Sequence, residues 1–217
     1  QYVETSDAWI RERTGIESRH IVREETCVSM AVQAAKNALE QADMDAGEID
    51  LLIVSTISAD NILPCAACEV QQQIGAVNAV CFDLNAACSG FLIAYHTALS
   101  GIEIGMYRTA LIIGSECMSH LMNWKDRGTC ILFGDGAGAA ILKNSSRPFY
   151  LPIGHSDGSK KDALLLRSRH SGETENLTDP QYYMQMDGQA VFKFAVRRVP
   201  EVIREVLEKN QVKQEEI

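Results

Sequence analysis

Cys88 lies in the run Asn85-Ala86-Ala87-Cys88-Ser89-Gly90-Phe91, between a strand-like stretch, Ala79–Leu84, and an apolar helical stretch from Cys88 to Ile104 that ends at Gly105. At a helix start the unpaired backbone N–H groups and the macrodipole stabilise a thiolate. The same N–H groups can hold a developing oxyanion. Ala86, Ala87, Ser89 and Gly90 are small, so an extended thioester can approach the sulfur closely. The apolar Phe91-Leu92-Ile93-Ala94-Tyr95 predicts a buried helix behind it, with Cys88 at the floor of a pocket. The residues alone leave two readings open: a nucleophile, or a small buried hydrophobe like most free cysteines.

Cys65-Ala66-Ala67-Cys68 has the spacing of a redox dithiol or of half a zinc site. A metal site needs a second ligand pair, and no other C-x-x-C, C-x-H or H-x-x-x-H spacing occurs. Ala-Ala between the thiols continues a helix, so these two are read as structural, and no metal is expected. Gly134-Asp135-Gly136-Ala137-Gly138 resembles a phosphate loop, but strand-like Ala139-Ala140-Ile141-Leu142 follows where a helix is required. It is read as a tight turn passing close to the active site. Asn144-Ser145-Ser146 and Asn176-Leu177-Thr178 match the glycosylation pattern and are read as chance matches. Of the histidines His20, His96, His120, His155 and His170, none carries a base signature. His96 falls two turns along the Cys88 helix, too far to reach the sulfur readily. A nucleophile is present without a clear partner base.

The elements that must position these residues alternate. Ser6–Arg13 reads as a short helix capped by Thr5 or Ser6 and stopped by Gly15, and Thr26–Ala42 as a longer one with Val28, Ala31, Ala35, Ala38, Leu39 and Ala42 on one face. After a turn at Asp45–Gly47, Asp50–Thr56 is an apolar, β-branched run expected to be a strand buried on both faces. Pro64 suits the first turn of a helix running to about Ile74. Thr109–Gly114 and Ala137–Leu142 are further strands, Pro148–Tyr183 an excursion of short strands and loops, and Val191–Lys209 an amphipathic helix that Pro200 should kink or divide. Strands alternating with helices predict an α/β layered fold with a largely parallel sheet.

With 217 residues, 46% of them hydrophobic, the chain can bury a sizeable core. A net charge of -9 argues against general attraction to nucleic acid or an anionic membrane. Lys193, Arg197 and Arg198 in one helix, and Arg11 with Arg13, form local basic groups that are read as solvated faces. No run is long and apolar enough for a membrane span, and the start, Gln1-Tyr2-Val3-Glu4-Thr5, lacks signal-peptide character. Seven cysteines in mostly apolar segments fit free thiols in a reducing compartment, and a cytoplasmic protein is expected.

Five ordered blocks resemble the β-ketoacyl-acyl carrier protein synthase III family. They are Thr5-Ser6-Asp7-Ala8-Trp9-Ile10, Arg13-Thr14-Gly15-Ile16, Asn85 to Phe91, Asp126-Arg127-Gly128-Thr129 and Phe133-Gly134-Asp135-Gly136-Ala137-Gly138-Ala139. The resemblance implies a thiolase-like fold of sheets covered by helices, assembled as a homodimer. Residues 1–147 would form the first half, carrying the nucleophile and lacking its first strand; residues 148–217 would supply connecting strands and the first helix of the second half. It implies that Cys88 takes an acyl group, typically acetyl, from coenzyme A, and that malonyl-acyl carrier protein then decarboxylates and attacks the thioester. Coenzyme A is a substrate in this scheme, and no cofactor is implied.

By the same resemblance Trp9 and Arg127 sandwich the adenine, and Arg13 and Thr14 lie near the nucleotide and phosphates. Gly188 and Phe192 line the pantetheine tunnel, Leu63 reaches across the dimer interface toward the partner's acyl pocket, and Phe133 walls that pocket. Without the family blocks, Trp9 reads as a core anchor of its short helix. The family's catalytic histidine and asparagine would follow Ile217, so about two-thirds of a member's usual length is represented and full condensation is not expected of these residues alone. Competing readings are a non-catalytic partial domain or interaction subunit, and another thiolase-like coenzyme A acyltransferase.

Overall fold

Five consecutive apolar residues with no polar alternation specify a strand covered on both faces, and in the computed structural model, which describes residues 3–145, 150–168 and 179–217, β1 (Leu51–Ser55) is buried throughout. It pairs in parallel with β2 (Val80–Leu84) on one side and β3 (Thr109–Cys117) on the other. β4 (Asp135–Lys143) adds to β3 antiparallel, giving the order β2-β1-β3-β4. The strand period of two sorts the core. Leu52, Val54, Leu111 and Ile113 face α2 (Cys27–Gln41) and α3 (Ala66–Ile74). Leu51, Ile53, Ala110 and Ile112 face α4 (Gly90–Glu103) through Ala94, Ala98 and Ile102. The result is three layers, helix, sheet and helix.

Residues 18–120 and 134–146 make up this layered unit, and residues 1–17, 121–133 and 147–217 a second one. In the second, α1 (Asp7–Thr14) is capped by Ser6, whose hydroxyl accepts from the Trp9 N–H at 3.2 Å, and ends at Gly15 with φ 71°. α5 (Arg127–Cys130) packs Cys130 and Ile131 against Ile10 of α1. The expected excursion is a two-stranded antiparallel pair, β5 (Leu164–Leu165) and β6 (Gln185–Met186), followed by α6 (Gly188–Asn210).

Three expectations change. Pro64 does not open α3: Cys65 is the N-cap in extended conformation, φ -68° and ψ 151°, and the helix begins at Ala66. Asp83 sets this start by accepting from the Ala66 and Ala67 N–H groups at 2.8 Å each. The glycine run is no turn, since Asp135 to Gly138 lie in β4 opposite Cys117 to Gly114. The lengthened β3 supplies the ladder, and the Asp135 carboxylate, accepting from Val22 and Ser119 N–H groups, pins the strand's first residue. α6 passes through Pro200 undivided, because losing one helical hydrogen bond there leaves the turns on either side intact. His170, the run Asn176-Leu177-Thr178, and Ser146 of the other glycosylation pattern lie outside the described residues.

The sheet meets the Cys88 helix at Gly90. A Cβ there would lie 2.0 Å from Ser55 Oγ and 3.3 Å from Ser55 Cβ, so only glycine lets α4 start against the end of β1. Gly90→Ala is expected to cost about 1–3 kcal/mol of unfolding free energy, measured by urea titration. The loss should shrink in a Ser55→Ala background, where the hydroxyl contact is gone; an equal loss in both backgrounds would show that Ser55 is not the obstacle.

Candidate active site

Cys88 sits between the carboxyl end of β2 and the start of α4, in a short 3-10 turn, Ala87–Ser89. The expected helix therefore begins two residues later, at Gly90. Ala87 has φ 45°, a left-handed conformation that costs an L-residue about 1–2 kcal/mol. This bend gives the chain a sharp turn from strand into helix and leaves Cys88 exposed. The carboxyl ends of parallel strands are where open α/β sheets place ligands. Ser89 gives α4 no side-chain cap and the first turn holds no acid, while the Gly90 N–H donates to Ala87 O.

The expectation that Phe91–Tyr95 is buried requires correction. Ala94 is fully buried, but Phe91, Leu92 and Ile93 are 39%, 63% and 43% exposed. A helix on one sheet face buries only one stripe, here Gly90, Ala94, Ala98 and Ile102. Cys88 itself is exposed. His96 is half-buried on α4, its ring edge-on to Tyr95 at 5.3 Å, and burial holds its pKa below the ordinary value. His155 is engaged by Glu205 at 2.6 Å.

Beside the end of β1, the chain folds back onto Glu116 near the end of β3. The Ile57 N–H and the hydroxyls of Ser58 and Thr56 donate to the Glu116 carboxylate, and Ser58 Oγ accepts from Cys117 N–H at 2.8 Å. Burial pushes this carboxyl above its ordinary value, while those hydrogen bonds oppose the shift. No local motif announces this cluster, because its members are about sixty residues apart.

The predicted coenzyme A residues fall in the second unit. The Arg13 and Arg127 guanidinium carbons stand 4.9 Å and 5.1 Å from the Trp9 ring centroid, within cation–π range. Arg127 Nη1 also donates to Glu4 O at 3.2 Å and lines a cavity of about 370 Å³ with Val3, Glu4 and Lys125. Trp9 packs at the edge of the Ile10, Cys130 and Ile131 cluster, so it is a core anchor as well as a stacking surface. The Thr14 hydroxyl is engaged locally, donating to Ile10 O at 2.7 Å and accepting from Ile16 N–H at 3.0 Å. Gly188 opens α6, where Asp187 caps the Gln189 and Ala190 N–H groups, and Phe192 one turn on is 67% exposed. Phe133 is half-buried, and Leu63, in the layered unit, is 87% exposed. Arg197 and Arg198 both pair with Glu201, which fits the solvated-face reading of that basic group.

A model of the 3-oxoacyl-[acyl-carrier-protein (ACP)] synthase III family matches residues 82–156, the stretch containing Cys88. The β-ketoacyl-[acyl-carrier-protein] synthase III of Clostridium perfringens strain SM101 is 45% identical over 221 residues, spanning 100% of this chain and 68% of that protein. The chain belongs to the β-ketoacyl-[acyl-carrier-protein] synthase III family. The 3-oxoacyl-[acyl-carrier-protein] synthase III structure from Aquifex aeolicus VF5 superposes with a TM-score of 0.91 at 42% identity, covering 100% of this chain and 67% of that one. The priming β-ketosynthase of the R1128 polyketide pathway follows at 0.88 and 36%, covering 98% and 64%. As a synthase III family member the chain is an acyltransferase of thiolase-like fold.

Glu116 gives the synthase a pH-dependent stability term. The native state keeps a proton that the unfolded chain releases above about 4.5, so this contribution is full below that pH and is lost as pH rises through the raised native value. Urea titrations between pH 4.5 and neutrality should show the wild type losing stability relative to Glu116→Gln as pH rises. A wild-type stability that stays constant or rises with pH relative to the variant would contradict the assignment.

Proposed function

We propose that Cys88 accepts an acyl group, acetyl being the expected primer, from acyl-coenzyme A, and that malonyl-acyl carrier protein then loses carbon dioxide and attacks the Cys88 thioester to begin fatty-acid synthesis. The observation that carries this reading is the exposed Cys88 on a strained strand-to-helix bend, at an uncapped helix start, in a chain of this family. In the first step the Cys88 sulfur attacks the thioester carbonyl, negative charge develops on its oxygen, and coenzyme A leaves as its thiol while the acyl group stays on sulfur. Capture on the enzyme divides one difficult condensation into two easier steps. The leading amides of α4 are suitable donors for the developing oxyanion.

The Trp9, Arg13 and Arg127 group supports nucleotide recognition: an indole suits a flat base, and guanidiniums suit both stacking and phosphate. A homodimer is supported by the position of β2 at the sheet edge, with Val80 53% exposed, and by exposed Ile62, Leu63, Leu92 and Ile93 in the same unit. Seven free cysteines support a reducing, cytoplasmic setting. Among the described residues, no helix is long and apolar enough to cross a membrane.

Incubation with acetyl-coenzyme A is expected to add one acetyl group to the intact mass, mapped to Cys88 and absent in Cys88→Ala. An unmodified Cys88 after prolonged incubation would overturn the proposal. Arg127→Ala should raise the acetyl-coenzyme A concentration needed for half-maximal acylation by about tenfold, as expected for loss of roughly 1.4 kcal/mol of binding. The extent at saturation should be unchanged. A lower plateau with an unchanged half-point would place Arg127 in the acyl transfer itself.

A further inference from the structure

We propose that Cys65 and Cys68, at the start of α3, form a reversible disulfide by exchange with low-molecular-weight disulfides, a thiol site distinct in position and role from Cys88. The pair is built for closure. Cys65 is the N-cap, not a helix-interior residue, and Cys68 is the third residue of the helix, so the two side chains project from the same turn. Their sulfurs are 3.4 Å apart, and the Cys68 N–H donates to Cys65 O at 3.0 Å, fixing the backbone between them. A bond of about 2.05 Å requires the sulfurs to close by little more than 1 Å. Cys68 is exposed and Cys65 half-buried, so a small reagent reaches one sulfur and the other waits beside it.

The surroundings say which chemistry this is. Among the described residues no group of three or more His, Cys, Asp or Glu is placed to hold a metal ion. Cys81 also neighbours Cys68, but burial pushes its thiol up to about 12, so it stays protonated and is a poor competitor for exchange. Cys68 is raised as well, first by its hydrogen bond with Cys65 and then by burial. Asp83 already occupies the Ala66 and Ala67 amides that would otherwise favour a thiolate. The first attack is therefore slow, and the second, between sulfurs held in contact, is fast.

The electrons balance in two exchanges. Cys68 loses its proton, its sulfur attacks one sulfur of an oxidised glutathione molecule, and the S–S bond breaks to release one glutathione, which takes up a proton. The Cys65 sulfur, also losing its proton, then attacks Cys68 Sγ of the mixed disulfide and expels the second glutathione. Two electrons and two protons pass from the protein thiols to the reagent, leaving a Cys65–Cys68 bond and two glutathione thiols. Excess reduced glutathione reverses both steps.

The test is equilibration of the full chain in mixtures of oxidised and reduced glutathione, followed by acid quench, alkylation and peptide mapping. The expected product is lighter than the reduced protein by two hydrogens, with the new bond mapped between Cys65 and Cys68. Cys65→Ser should stop at a glutathione adduct on Cys68, and Cys81→Ser and Cys88→Ser should still close the bond. A lasting glutathione adduct on Cys68 in the unsubstituted chain, a bond mapped to Cys81 or Cys88, or no change in mass would each overturn the proposal. The mapping on the unsubstituted chain holds whether or not a variant folds. It is also read independently of Cys88 acylation, so failure of either proposal leaves the other standing.

Discussion

The approach of Gly90 to Ser55 is the constraint on which the catalytic geometry depends. β1 is buried from end to end, and the chain leaving β2 must turn and cross it to place α4 on the far face of the sheet. With any side chain at position 90 the helix start would be forced away from the end of β1. The backbone takes up the remaining turn at Ala87, where the positive φ is a local cost met by the packing of Ala94, Ala98 and Ile102 beneath the helix. Exposure of Cys88 follows from this geometry rather than from its own side chain.

Among the cysteine-bearing helix starts of the layered unit, those of α3 and α4 differ in what meets their amides. At α4 the Ser89 side chain makes no cap bond, and the Gly90 N–H donates to the backbone carbonyl of Ala87. At α3 the Asp83 carboxylate accepts from two of the corresponding amides, so the same kind of terminus is already neutralised. Dipole and N–H groups alone therefore do not make a nucleophile; what occupies them decides. Cys88 is suited to attack a thioester, whereas Cys65 and Cys68 are suited to react with each other.

The Trp9 cluster joins core packing and cation–π contact on one side chain. One edge of the indole belongs to the Ile10 and Ile131 core, and its ring carries two guanidiniums. The indole packs as a core anchor, and the guanidiniums of Arg13 and Arg127 meet its ring. Thr14 illustrates the opposite case: its hydroxyl, which the resemblance places near phosphates, closes the end of α1 by bonding Ile10 and Ile16.

Much was legible in the sequence because it was local. The unbroken apolar run of β1, the Ser6 cap, the stop at Gly15 and the placement of Cys88 after a strand all follow from neighbours within a few residues. The ordered motif blocks likewise identified the family. What sequence could not settle was set by partners far along the chain. The unexpected start of α3 depends on Asp83, the strand at Asp135–Gly138 on a ladder with β3, and the buried carboxyl of Glu116 on residues 56–58. Exposure of Phe91, Leu92 and Ile93 was misread because apolar character says that a helix is covered, not on how many sides. Sequence alone thus determined the order of elements and the place of Cys88 between strand and helix, since both rest on short-range pattern. Only the tertiary structure decided which helix start takes a carboxylate and which thiols meet, because charge, burial and sulfur–sulfur distance arise from packing between segments.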